Sequence, residues 1–140
     1  MEQLEKRYET VARALEALRK AIDKLQNTQC CDSDEEYQTL RDSEIKRFEL
    51  CVDTLWKYLK LYLEVKKGVV QTSPKPVFRE CLRSQIIMDE TEAALAIEMV
   101  DARNMTSHIY KEKVAELIHK QIQAYYLLMI KFINLTKPVS

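Results

Sequence analysis

A chain of 140 residues, 46% hydrophobic and 31% charged, is of the size and composition of one soluble globular domain, read as spanning residues 1–140. Its 22 basic residues balance 22 acidic ones, with a pI near 6.7, so bulk attraction to nucleic acid or an anionic membrane is not expected and any phosphate binding must be local. One glycine and three prolines cannot supply the frequent turns that a sheet protein needs, so the chain reads as all-helical.

In chain order, the first helix is predicted from about Glu2 to Leu25, with Tyr8, Val11, Leu15, Leu18, Ile22 and Leu25 forming one apolar stripe. Gln26 to Ser33 is polar and aperiodic, hence a loop, after which Asp32, Ser33 or Asp34 can cap the next helix. Helix two is predicted from about Asp34 to Lys67, with the stripe Ile45, Phe48, Val52, Leu55, Leu59 and Tyr62. Lys66, Lys67 and Gly68 form its stop signal. Trp56, Tyr58, Leu61 and Leu63 give it a second apolar face, and two readings stay open: deep burial within its own bundle, or an interface with a second copy or partner.

Ser73-Pro74 marks the entry to a third helical region containing Val77, Phe78, Cys81 and Leu82. Asp89-Glu90-Thr91-Glu92 resembles a fresh capping box, so this region can break near Met88 and resume as Ala93 to Met105. The last helix is expected from near Lys111, using Val114, Leu117, Ile118, Ile122, Tyr125, Met129 and Phe132. Together these predict an up-and-down antiparallel four-helix bundle with the third helix open to division in two.

Cys30, Cys31, Cys51 and Cys81 form no C-x-x-C pair and lie far in sequence from His108 and His119, which argues against a zinc site. No signal peptide is recognised, so the cysteines read as reduced and the protein as cytoplasmic. No apolar run approaches the roughly 20 residues of a membrane span. His119 follows Glu116 by three positions, which reads as a surface pair on one helix.

The segment that reads as chemistry is Arg103 to Tyr110, Arg-Asn-Met-Thr-Ser-His-Ile-Tyr. On a continuous α-helix Arg103 and His108 diverge by about 140°. They converge if the helix ends between them, and Asn104, Thr106 and Ser107 favour caps and turns. With Ser107 to Tyr110 extended, His108 and Tyr110 would point the same way. Arginine suits the charge of a phosphorane-like transition state and histidine suits proton transfer, as metal-free RNA cleavage requires. One copy holds one such histidine, so a dimer pairing two patches would be the more competent. The alternative reading is plainly structural: Arg103 on a carboxylate and His108 at a helix cap.

Three segments, Asp42 to Leu50 leading into Trp56-Lys57, Ser73 to Arg79, and Asp101 to Tyr110, resemble the HEPN superfamily in its nucleotidyltransferase substrate-binding branch. The resemblance implies a four-helix bundle, usually homodimeric, made beside a minimal nucleotidyltransferase on a separate chain. It implies a substrate-binding and partner subunit for that transferase. The alternative is a metal-independent ribonuclease toxin held in check by the transferase as antitoxin, so whether the chain is an enzyme stays open. By match to the Arg-x4-His motif, Arg103 and His108 would be the catalytic pair and Asn104 polar support. Tyr110 matches a tyrosine that takes adenylate in some members, and Trp56 and Lys57 are candidate nucleotide or RNA contacts. Neither a cofactor nor a metal is implied.

Overall fold

A computed structural model describes residues 2–27, 34–87 and 89–138. The predicted cap residues Asp32 and Ser33, the thiols Cys30 and Cys31, and the break point Met88 lie outside the described residues. The described chain is helical, with no strand among those residues: α1 Glu2–Asn27, α2 Asp34–Tyr62, α3 Pro74–Arg83, α4 Glu90–Asn104 and α5 Glu112–Leu135.

The α1 stripe buries Leu4, Val11, Leu15, Leu18 and Ile22 against α2. Tyr8 meets Tyr58 edge-on at 5.7 Å between ring centroids. The early part of α1 therefore lies beside the late part of α2, and the two run antiparallel. α5, by contrast, runs parallel to α2: Tyr37 bonds Glu116, Phe48 stacks on Tyr125 at 5.6 Å, and the Tyr58 hydroxyl donates to the Thr136 carbonyl at 2.5 Å. Tyr125 donates to Glu98 at 2.6 Å and Lys131 pairs with Glu92, so α4 runs antiparallel to α5. Helices α1, α2, α4 and α5 are thus the up-and-down bundle, with α2 central.

α2 does not stop at Tyr62. It widens into a single π turn, Leu63–Lys67, closed by Gly68 at φ 67° in the left-handed region. That conformation is one glycine adopts without penalty. Tyr58 and Leu63, half of the second apolar face, are fully buried, while Trp56 and Leu61 are half-buried. For Tyr58 and Leu63, burial within the bundle is the reading that holds.

The third helical region divides between Arg83 and Glu90, where Gln85 takes φ 61°. Its two pieces fold back on each other instead of continuing in line. Lys75, at the start of α3, reaches Asp101, in the last turn of α4, at 2.6 Å, and the two helices pack along their length. Asp89 caps α4, accepting from the Thr91 N–H at 2.7 Å, while Glu92 turns away to Lys131 and leaves the box half made. Phe78 of α3 packs on Phe132 of α5 at 5.3 Å, which ties the inserted helix to the core. Among the described residues no helix is long and apolar enough to cross a membrane.

Candidate functional site

Arg103 lies in the last turn of α4 and reaches across to α2. Its Nε and Nη2 donate to Asp53 Oδ1 and Oδ2 at 2.7 and 2.9 Å, a two-point clamp, and Glu49 Oε1 stands 3.5 Å from Nη2. These bonds hold the guanidinium pKa above its ordinary value, the Asp53 hydrogen bond contributing most. Thr106, buried below, accepts from Arg103 Nη1 at 3.1 Å, and its hydroxyl lies 2.9 Å from Glu49 Oε2 and 2.8 Å from the Arg103 carbonyl. The guanidinium therefore faces two carboxylates, one of which, Glu49, also pairs with the exposed Lys46 at 3.5 Å. The arginine is held, not free.

Residues 105–110 correct the expectation of an extended loop. Met105–His108 is a 3₁₀ turn and Ile109 remains in the right-handed helical region at φ −70°, ψ −9°. Thr106 and Ser107 bond back to the carbonyls of Arg103 and Asn104, three residues earlier, and so tighten the helix instead of ending it. With about three residues per turn, Arg103, Thr106 and Ile109 share the face toward the bundle, and His108 falls on another. His108 and Tyr110 are nonetheless neighbours, their rings 6.1 Å apart and inclined at 59°. Tyr110 is 76% exposed, with Lys111 Nζ 5.9 Å from its ring centre, and Asn104 is exposed. α5 begins at Glu112 without a side-chain cap, so the His108 side chain is not a capping group for it.

Trp56 and Lys57 lie one helical turn beyond Asp53, on the same stripe of α2. They line a separate cleft of about 360 Å³ with Arg7 of α1 and with Lys60, Leu61 and Glu64. No residue of the 103–110 segment borders it.

A larger polar assembly joins the N-terminal parts of α2 and α5. Arg41, 2% exposed, bonds Glu112, Glu116 and Asp42, and Tyr37 donates to Glu116 at 2.9 Å. Burial alone would lower the Arg41 pKa; the hydrogen bonds to Glu112, Asp42 and Glu116 outweigh it and raise it. His119 Nδ1 lies 2.7 Å from Glu44 Oε1. The surface i,i+3 pairing expected for His119 is thus replaced by a contact between helices, because Glu116 is taken by Arg41 and Tyr37. Nothing in local spacing signals a partner 75 residues away. Cys51 and Cys81 are buried free thiols, each pushed up to about 12 by burial, so neither is a ready nucleophile. Among the described residues no three His, Cys, Asp or Glu side chains gather as a metal ion would require.

A family model described as nucleotidyltransferase substrate binding protein like matches residues 6–137. A Thermus thermophilus protein of known structure is 34% identical, with a TM-score of 0.69 over 86% of this chain and 99% of its own. A Haemophilus influenzae protein, whose structure is described as revealing the fold of a substrate binding domain of a nucleotidyltransferase, superposes with a TM-score of 0.80. It is 20% identical, over 94% of this chain and 99% of its own. A Shewanella oneidensis protein described as a tri-AMPylated HEPN toxin in complex with MNT antitoxin gives 0.72 at 16% identity, over 96% of both chains. The last two likenesses establish a shared fold. No curated protein matches the chain.

Proposed function

That this chain belongs to the family of nucleotidyltransferase substrate-binding-like proteins is the premise from which we propose that, acting as one domain, it is the helical substrate-binding subunit of a two-component module. Its partner is a minimal nucleotidyltransferase carried on a separate chain in the cytoplasm. The observation that selects this reading is the Arg103–Asp53 clamp. A nuclease needs a cation able to turn onto a phosphate, and here the guanidinium is held by Asp53 and Glu49. In the binding reading Arg103 organises the α2–α4 seam, and the exposed His108, Asn104 and Tyr110 meet the partner or its nucleotide. The direct test is co-expression with a neighbouring reading frame carrying a Gly-Ser and Asp-x-Asp pattern. Stable co-purification is expected; two chains that separate at micromolar concentration overturn the proposal.

The ribonuclease alternative keeps one specific support, the exposed and adjacent His108–Tyr110 pair. In that reading His108 moves the proton, and Arg103 is released from Asp53 when RNA or a second copy arrives. Tyr110, 76% exposed, is open to adenylation by the transferase. Expression of the chain alone separates the two readings: growth arrest and chelator-resistant RNA cleavage, both lost in His108→Ala and Arg103→Ala, support the nuclease. A harmless wild type supports the binding subunit.

A homodimer belongs to the same proposal. The support is a groove between α4 and α5, where Leu117 is 67% exposed and Met105 is also exposed beside Ala102 and Val114. This apolar strip adjoins the 103–110 segment, so pairing through it would bring two motifs together. A monomeric mass by light scattering at micromolar concentration overturns it.

A further inference from the structure

We propose that the cleft between α1 and α2 lined by Arg7, Trp56, Lys57, Lys60, Leu61 and Glu64 binds one free nucleoside triphosphate, its base on the Trp56 indole and its phosphates among the three cations. This rests on the substrate-binding reading above, and it assigns the ligand and one residue, Arg7, that nothing in the sequence singled out.

Three observations carry it. First, the cations are unspent. Several basic side chains elsewhere in the bundle are neutralised: Arg103 by Asp53, Lys75 by Asp101, Arg41 by Glu112, Lys131 by Glu92. Among the described residues neither Arg7, Lys57 nor Lys60 makes a salt bridge or a side-chain hydrogen bond, although all three line one cleft. Three like charges with a single carboxylate, Glu64, in the same lining and paired to none of them leave a net positive cleft, which a polyanion neutralises.

Second, the apolar wall suits a base. Trp56 is half-buried, packed on the core from behind, so the indole is held in place while its outer side borders the cleft. Stacking on a fixed ring carries little ordering penalty. The cleft, about 360 Å³, lies in the size range of small-ligand sites.

Third, one flank of the cleft argues against a longer nucleic acid. Up the same stripe of α2 come Asp53 and Glu49, so no basic track extends beyond the cleft on that side, while Lys66 and Lys67 of the π turn follow past Glu64 on the other. Glu64, exposed in the π turn at the other end, has no ion pair among the described residues and can accept only. It disfavours bare phosphate at its end, and it fits the hydroxyls of a ribose. The π turn itself, a rare form that is frequent at functional sites, lies at this end of the cleft.

The experiment uses the full chain. Trp56 is its single tryptophan, so tryptophan fluorescence reports on this cleft alone. Titration with ATP and GTP is expected to give saturable quenching that weakens as salt rises. Adenosine and inorganic tripolyphosphate, each offering half of the ligand, are expected to bind at least about tenfold more weakly. Arg7→Ala, Lys57→Ala and Lys60→Ala should each weaken ATP binding by about three- to tenfold with helical circular dichroism unchanged. Lys20→Ala, which removes an equal charge farther along α1 where it lines a separate groove with Leu40, Ser43 and Arg47, should not. Absence of saturable quenching at millimolar nucleotide overturns the proposal, as does equal binding of tripolyphosphate, quenching by an RNA oligomer but by neither nucleotide, or unaltered affinity in the cation variants. Co-purification with the transferase is measured separately: its failure with quenching intact removes the subunit reading and leaves the cleft standing, and the reverse result removes only the cleft.

Discussion

Arg103 and Asp53, 50 residues apart, are joined by two parallel hydrogen bonds that fasten the last turn of α4 to the middle of α2. Both side chains are about one-third exposed, which limits what the pair contributes; a double-mutant cycle with Arg103→Ala and Asp53→Ala should return a coupling of about 1 kcal/mol. Arg103→Ala alone should be the more damaging single change, because it also leaves Thr106 and Glu49 without their shared donor. Denaturant midpoints measure both, and a coupling indistinguishable from zero would show that the clamp does not hold the seam.

Tyr58 is fully buried and its hydroxyl donates to the Thr136 carbonyl. Tyr58→Phe keeps the ring and strands a buried acceptor, so stability should fall by about 1–2 kcal/mol. The hydroxyl pKa is pushed up to about 12, by burial above all, so the loss should be constant between pH 6 and 9. Urea melts at the two pH values test this, and an unchanged midpoint refutes it.

His119 should make the protein more stable in mild acid than in mild base. Its pKa is raised above the ordinary value, first by the hydrogen bond to Glu44, with Glu116 adding and Arg41 and burial opposing. A group whose folded pKa is raised binds its proton more tightly when folded. Its contribution is fully present below the unfolded value near 6.5 and is lost as pH rises through the folded value. Denaturation midpoints should therefore fall as pH rises through that window, and in His119→Ala the step should vanish. Persistence of the step in the variant assigns it elsewhere.

Arg41 separates packing from charge. It is 2% exposed, yet its partners Asp42, Glu112 and Glu116 reach solvent and can rehydrate once freed. Arg41→Met, which keeps most of the stem, should cost about 1 kcal/mol or less, whereas Arg41→Ala should cost about 2–4 kcal/mol through the void it leaves. Equal losses in the two variants would place the contribution in the charge instead.

The faces of the helices were legible because burial follows a period that a single segment carries within itself: Val11, Leu15, Leu18 and Ile22 repeat every three or four residues, and all are buried. The stop at Gly68 and the cap at Asp89 were legible for the same local reason. Partnerships between helices were not. His119 has a carboxylate three residues away and binds another 75 residues away. Residues 105–110 failed differently. Asn104, Thr106 and Ser107 are poor helix formers, but a hydroxyl that bonds the carbonyl three residues back can tighten a turn as readily as open one, and Thr106 does so with Glu49 above it. The motif residues were found; their geometry depended on α2. Arg7 was invisible altogether, because only the packing of α1 on α2 brings it to Trp56.

The parallel course of α2 and α5 has a consequence for how the chain comes off the ribosome. The bonds between them span 71 to 79 residues at every level, from Arg41–Glu112 to Tyr58–Thr136. A nascent chain can zip α1 onto α2 early, as a local hairpin, but the opposite flank of α2 must wait for more than seventy further residues before its cover is made. During that interval Phe48 and Tyr58 lack the cover that α5 and the residue after it bring, and the half-finished bundle is a sticky three-sided trough. Slowing synthesis across residues 112–135 should prolong that state and raise the demand for chaperones, whereas slowing it across α1 should not.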